Sequence, residues 1–89
     1  MLESGPEHLG DGRMGLVLSP REHEVMEAIS LGLTNRQVAE RLAVSVHAVK
    51  FHLASIYRKH GISNRTEAVV LYVRESSRLA ERRATARLR

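Results

Sequence analysis

Between Ala43 and Arg65 the chain reads "AVSVHAVKFHLASIYRKHGISNR", and two sets of side chains alternate through it at helical spacing. Val46, Val49, Leu53, Ile56 and Tyr57 form an apolar set that asks to be buried. At about 100° per residue its centre falls near Val49 and Leu53, which turns His47, Phe51, Ala54 and Arg58 to the opposite side, with Lys50 and Ser55 along the edges. The chemistry of that opposite side is recognition rather than reaction. Two cations and an imidazole can donate to anionic or carbonyl oxygens, Ala54 leaves room for close approach, and Phe51 offers an apolar ring.

Other chemistries fail on residue type or spacing. His47, His52 and His60 stand five and eight residues apart and do not converge on one helix face. The chain has no cysteine and no His-Glu pair of the zinc-protease type, so no metal site is expected. Neither a Ser/His/Asp set nor a phosphate-cradling glycine loop is present, and 89 residues leave little room for a substrate pocket. The sequence therefore points away from an enzyme and implies no cofactor.

The elements that would hold such a face are sharply punctuated. "SPRE" offers Ser19 as N-cap, Pro20 at the first helical position and Glu22 as the returning partner of a capping box. That helix runs through Val25, Met26 and Ile29 to Gly32, with Glu22, Glu24 and Glu27 expected on its solvated side. "TNRQ" repeats the device, with Thr34 as cap, Gln37 reaching back, and Val38, Ala39 and Leu42 on one face. A break at Ala43-Val44 precedes Ser45, which can cap the third helix, and Gly61 ends it. Asn64 with Glu67 opens a fourth helix through "AVVLYV". No strand-like alternation and no internal repeat intervene, so the expected fold is all-α with four helices.

Composition agrees. Apolar residues make up 43% of the chain, with one Phe, two Tyr and no Trp, which suits a small core of Leu, Val, Ile and Ala. Residues 1–17 are rich in Gly, lack an apolar period and read as a flexible leader or linker. Residues 18–75 form the helical domain. Residues 76–89, "SSRLAERRATARLR", are a basic tail whose thin apolar stripe predicts a frayed helix or disorder. No apolar run approaches the ~20 residues needed to cross a bilayer, and the N-terminus lacks signal-peptide character. A soluble, cytoplasmic protein is the expectation.

Charge is divided unevenly. Residues 1–44 carry four Arg and seven acids, a net −3, whereas residues 45–89 carry ten Arg or Lys and three acids, a net +7. A basic half of this kind attracts a polyanion, nucleic acid before an acidic protein or a membrane surface. A short helix, a turn and a longer helix with a buried inner stripe make a helix-turn-helix, whose second helix can enter a major groove ~12 Å wide. On that view Phe51 either meets a thymine methyl or covers the edge of the core.

At this point the residues resemble a known family. Leu18 to Val69 is similar to the LuxR-type helix-turn-helix DNA-binding domain of bacterial transcription regulators, through "LSPRE", "GLTNRQVAERL", Val49-Lys50-Phe51-His52 and "RTEAV" in order. The resemblance implies a four-helix domain that binds double-stranded DNA with its third helix, the one starting at Ser45, in the major groove. It implies that Lys50 and its neighbours approach bases or phosphates, and that Thr34, Asn35, Arg65 and Thr66 sit at helix starts near the DNA backbone. It also implies a dimer through the fourth helix; RNA polymerase is a further candidate partner, and the cytoplasm, on the nucleoid when bound to DNA, is the expected location. Two positions depart from the family pattern: Ala48 stands where Thr is common before "VK", and Ala43 where Gly is common in the turn.

Within the fourth helix, helical spacing puts Ala68, Leu71 and Tyr72 on one side and Val69, Val70 and Val73 on roughly the other, and the second set is the candidate dimer contact. Two alternatives stand beside a LuxR-type regulator. One is a sigma-factor-like promoter-reading domain; the other is a protein-interaction module on a helix-turn-helix scaffold whose basic tail docks elsewhere. The chain reads either as a free-standing regulator or as the C-terminal part of a longer one.

Overall fold

The computed structural model describes residues 15–87. Within them four helices follow in order: α1 (Pro20–Ser30), α2 (Asn35–Leu42), α3 (Val46–His60) and α4 (Arg65–Arg87), with no strand among the described residues. Most of the expected leader, residues 1–14, and the last two residues of the tail lie outside this range.

Each helix begins on the cap its local sequence supplies. Ser19 Oγ accepts from the Glu22 N–H at 3.1 Å while the Ser19 N–H donates to Glu22 Oε1 at 3.0 Å. Thr34 and Gln37 make the same reciprocal pair at 3.1 and 2.8 Å. Ser45 Oγ accepts from Ala48 N–H at 2.9 Å, and Asn64 Oδ1 from Glu67 N–H at 2.8 Å. These bonds engage N–H groups that a helix start would otherwise leave orphaned.

Helix α1 is the hub, packing against α2, α3 and α4, and α2 packs on α3. The core is Val25, Met26, Ala28 and Ile29 of α1, Val38 and Ala39 of α2, Val49, Leu53 and Ile56 of α3, then Ile62, and Ala68 and Tyr72 of α4. Each fully buried aliphatic side chain stabilises the fold by about 1.5–3 kcal/mol, which is what holds an eight-residue helix such as α2 in place. Leu16 and Leu18 also pack against this core. The preceding segment is tied by His60 Nε2, which donates to the Val17 carbonyl at 3.1 Å.

Two features differ from the sequence expectation. Glu22 is buried rather than part of the solvated acidic side of α1, because Lys59 Nζ reaches it at 2.8 Å from the far end of α3. Glu24 and Glu27 are exposed. Val46 is largely outside the core, since it stands at the first turn of α3 before the helix meets its neighbours. Helix α4 runs to Arg87, through most of the segment expected as a frayed helix or disorder. Good helix formers and the Glu75–Arg78 ion pair at 2.9 Å support that continuation, although the side chains of residues 76–85 are exposed.

The turn between α2 and α3 depends on one residue. Ala43 adopts φ 58, ψ 43 and is the only non-glycine with positive φ among the described residues. Its N–H and that of Val44 return to carbonyls of the last turn of α2, as a left-handed helix cap requires. This cap turns the chain so that Ser45 can start α3 at once.

Candidate nucleic-acid interface

Helix α3 divides as its spacing demands. Val49 and Ile56 have no exposed surface and Leu53 very little, so the inner stripe locks the helix onto α1 and α2. His47, Lys50, Phe51, Ala54 and Arg58 are all exposed. Phe51 retains 65% of its surface, so the ring does not serve as a lid on the core. It makes a T-shaped pair with neighbouring His52, with centroids 6.0 Å apart. An aromatic ring this open on a cationic face is available to an apolar group brought by a partner.

The helix starts contribute a second set. Ser45 and Thr34 are exposed, and each hydroxyl accepts its capping bond through oxygen, which leaves the hydroxyl proton free to donate outward. Thr66 is exposed in the first turn of α4. Asn35 and Arg65 are half-buried and meet each other: Arg65 Nη1 donates to Asn35 Oδ1 at 2.7 Å, and Nη2 donates to the Leu33 carbonyl. The start of α4 is thereby stapled to the start of α2. Arg65 also lies close enough to Tyr57 for its charge to oppose, in part, the upward push that burial gives the Tyr57 hydroxyl. A carboxylate stands at the same end of α4, where Glu67 Oε1 accepts from the Ser63 N–H at 2.7 Å.

The sequence reading missed the Leu33 carbonyl, which has no signature in residue type. It also missed Lys59, whose spacing within α3 says nothing of a partner in α1. Lys59 and the Ser19 N–H together hold the Glu22 carboxyl below its ordinary value of 4.5, against the upward push of burial. The charge is thus retained at the joint between α1 and α3.

On α4, the three valines do not share one free face. Val70 and Val73 are 45% and 48% exposed, whereas Val69 is half-buried against the core. The reason is angular. Ala68 and Tyr72 define the buried stripe, and Val69 and Leu71 flank it by about 80° on either side, while Val73 and Val70 lie farther round. The exposed apolar pair is therefore Val70 with Val73.

No three His, Asp or Glu side chains among the described residues are arranged to hold a metal ion. No helix among them is long and apolar enough to cross a membrane.

Comparison with known proteins adds independent findings. The family model described as "Bacterial regulatory proteins, luxR family" matches residues 16–72. Among curated proteins, the chain is 46% identical over 56 residues to the "Probable transcriptional regulatory protein SgaR" of Hyphomicrobium methylovorum, covering 63% of this chain and 26% of that protein. It is 36% identical over 55 residues to the transcriptional regulatory protein ComA of Bacillus subtilis, covering 62% and 26%. With the CsgBAC operon transcriptional regulatory protein of Escherichia coli it shares 36% identity over 53 residues, covering 60% and 24%. The matched segment thus spans about a quarter of the length of these relatives. No solved structure matches the chain at a significant level.

Proposed function

The chain belongs to the luxR family of bacterial regulatory proteins, and from that premise we propose that it regulates transcription by reading specific double-stranded DNA with the free face of α3. The family makes residues 16–72 a DNA-binding regulator domain. The observation that carries the finer reading is the division of α3: an inner stripe with almost no exposure, and an outer face of His47, Lys50, Phe51, Ala54 and Arg58 left open.

A rigid helix presenting cations, a small residue and one ring has the chemistry a major groove asks for. Lys50 and Arg58 suit guanine O6 and N7 or flanking phosphates, His47 suits a base acceptor or phosphate, and Phe51 suits the thymine methyl. Ala54 lets the helix axis approach closely. Ser45, Thr34 and Thr66 donate hydroxyl protons to the backbone phosphates on either side, fixing register without reading sequence. Asn35 and Arg65 are the first residues of α2 and α4.

Each domain covers about one half-site, and a second copy would supply the other. The exposed Val70 and Val73, flanked by the half-buried Val69, are the surface for that contact. Half-sites then stand about one helical turn, ~10 bp, apart. The place of action is the cytoplasmic nucleoid, next to RNA polymerase as a second partner. The full-length relatives transfer nothing further, because the match covers only a quarter of them.

Selection of 30-bp duplexes from a random pool by the full chain tests this reading. Enrichment of a common, two-fold-related motif is expected; an unenriched pool contradicts sequence-specific reading and favours an interaction module on the same scaffold.

A further inference from the structure

We infer that Arg65 is a positioning residue: it holds the start of α2 in place for DNA binding by clamping Asn35 and the Leu33 carbonyl, and does not itself neutralise a phosphate. The inference rests on the DNA-binding reading above and names how one part of that surface is assembled.

Three observations carry it. Two donors of the guanidinium fork are already directed at protein acceptors, Nη1 to Asn35 Oδ1 at 2.7 Å and Nη2 to the Leu33 carbonyl. Both acceptors flank Thr34, the cap of α2, so the fork grips the chain immediately on each side of the residue whose hydroxyl faces outward. Arg65 is also half-buried, close enough to Tyr57 for its charge to act there, and the Glu67 carboxylate stands at the same end of α4. A nearby anion makes that helix end a poorer seat for phosphate than its free N–H groups alone would suggest.

The consequence is mechanical. Helix α2 has eight residues and is too short to hold its own N-terminus firmly. The planar fork supplies two directional bonds from one rigid group, which a lysine cannot reproduce. Through it, the placement of α4 decides where Thr34 meets the DNA backbone. Sequence reasoning from the helix starts alone assigns Arg65 to phosphate, because the partner 30 residues away cannot be seen from spacing.

The test measures affinity of the full chain for the duplex it enriches from a random 30-bp pool, between 50 and 200 mM KCl, roughly the range over which phosphate contacts dominate salt dependence. The proteins are wild type, Arg65→Gln, Arg65→Lys, Asn35→Ala and the Arg65→Gln/Asn35→Ala pair, each corrected for its folded fraction by circular dichroism. The expected result is a similar loss, roughly tenfold, in all four variants. The double loses no more than either single because the two residues act as one unit. The slope of log affinity against log salt should match wild type throughout. The inference is overturned if Arg65→Lys restores binding, or if Arg65→Gln lowers the slope by about 0.9 while Asn35→Ala does not, since either result makes Arg65 a phosphate ligand. Asn35→Ala removes the side-chain arm of the clamp, leaves the arginine and its bond to the Leu33 carbonyl in place, and keeps the test open if Arg65→Gln folds poorly. If wild type binds no duplex, the DNA-binding reading itself falls and takes this role with it, an outcome distinct from those above.

Discussion

Lys59 Nζ lies 2.8 Å from Glu22 Oε1, joining the last turn of α3 to the first turn of α1 across 37 residues of sequence. The same oxygen accepts the Ser19 N–H, so the cap of α1 and the ion pair share one carboxylate whose side chain is 8% exposed. Losing the ammonium leaves that carboxylate desolvated and short of a partner, whereas losing its charge but not its oxygen leaves the cap in place. Lys59 is half open to solvent, which screens the pair and moderates the cost. Lys59→Met should therefore destabilise the fold by about 1–3 kcal/mol, and Glu22→Gln by less, in urea titrations at neutral pH.

The same carboxylate sets an acid limit. Its value in the fold lies below the ordinary 4.5, so the unfolded chain binds the proton more readily than the native one. The stabilisation is fully present above pH 4.5 and is lost as pH falls through the lower native value. Wild type should lose melting temperature in that acid window, and Glu22→Gln should show a visibly flatter profile there. Equal profiles would mean that other carboxylates govern acid unfolding.

Ala43 holds a left-handed cap with φ 58 that costs a residue with a Cβ about 1–2 kcal/mol. Its side chain is exposed and gives nothing back. Ala43→Gly should raise stability by about 1 kcal/mol and the melting temperature by roughly 4–8 °C. A lower melting temperature would place the strain elsewhere.

The faces of α3 should separate in experiment. Val49 has no exposed surface, so Val49→Ala should cost about 1–3 kcal/mol of stability whatever the DNA. Lys50→Ala and Phe51→Ala remove exposed groups and should melt as wild type does. Early melting of those two with an unaffected Val49→Ala would reverse the assignment of faces.

Val70 and Val73 should behave as interface rather than core. Val73→Glu should leave the fold intact, shift sedimentation equilibrium toward monomer and weaken binding to a two-half-site duplex by at least roughly tenfold. Unchanged affinity and unchanged mass would remove the fourth helix from the dimer.

What was legible in the sequence was what is decided locally. Ser19, Thr34, Ser45 and Asn64 announce helix starts because a cap and its N–H partner are three residues apart. The two faces of α3 follow from periodicity alone. Glu22 was misread as solvated because its cation, Lys59, lies 37 residues away in α3 while Arg21 of its own helix pairs with Glu24. Arg65 and Asn35 were both identified as lying near helix starts, yet their mutual bond spans 30 residues and emerges only once α4 returns to α2. Val69 was grouped with Val70 and Val73 because a two-sided split of α4 ignores the half-buried flank.

The central claim is that α3 reads base edges in the major groove, and atomic substitution in the DNA tests it most directly. In the selected duplex, each guanine is replaced in turn by 7-deazaguanine and each thymine by uracil, which alter the major-groove N7 and methyl group. Affinity is then measured for wild type, Lys50→Ala and Phe51→Ala. The predicted result is a loss of about 1–3 kcal/mol at particular positions for wild type, with the guanine effect absent in Lys50→Ala or the thymine effect absent in Phe51→Ala. If wild type binds every substituted duplex as tightly as the parent, α3 does not read the major groove.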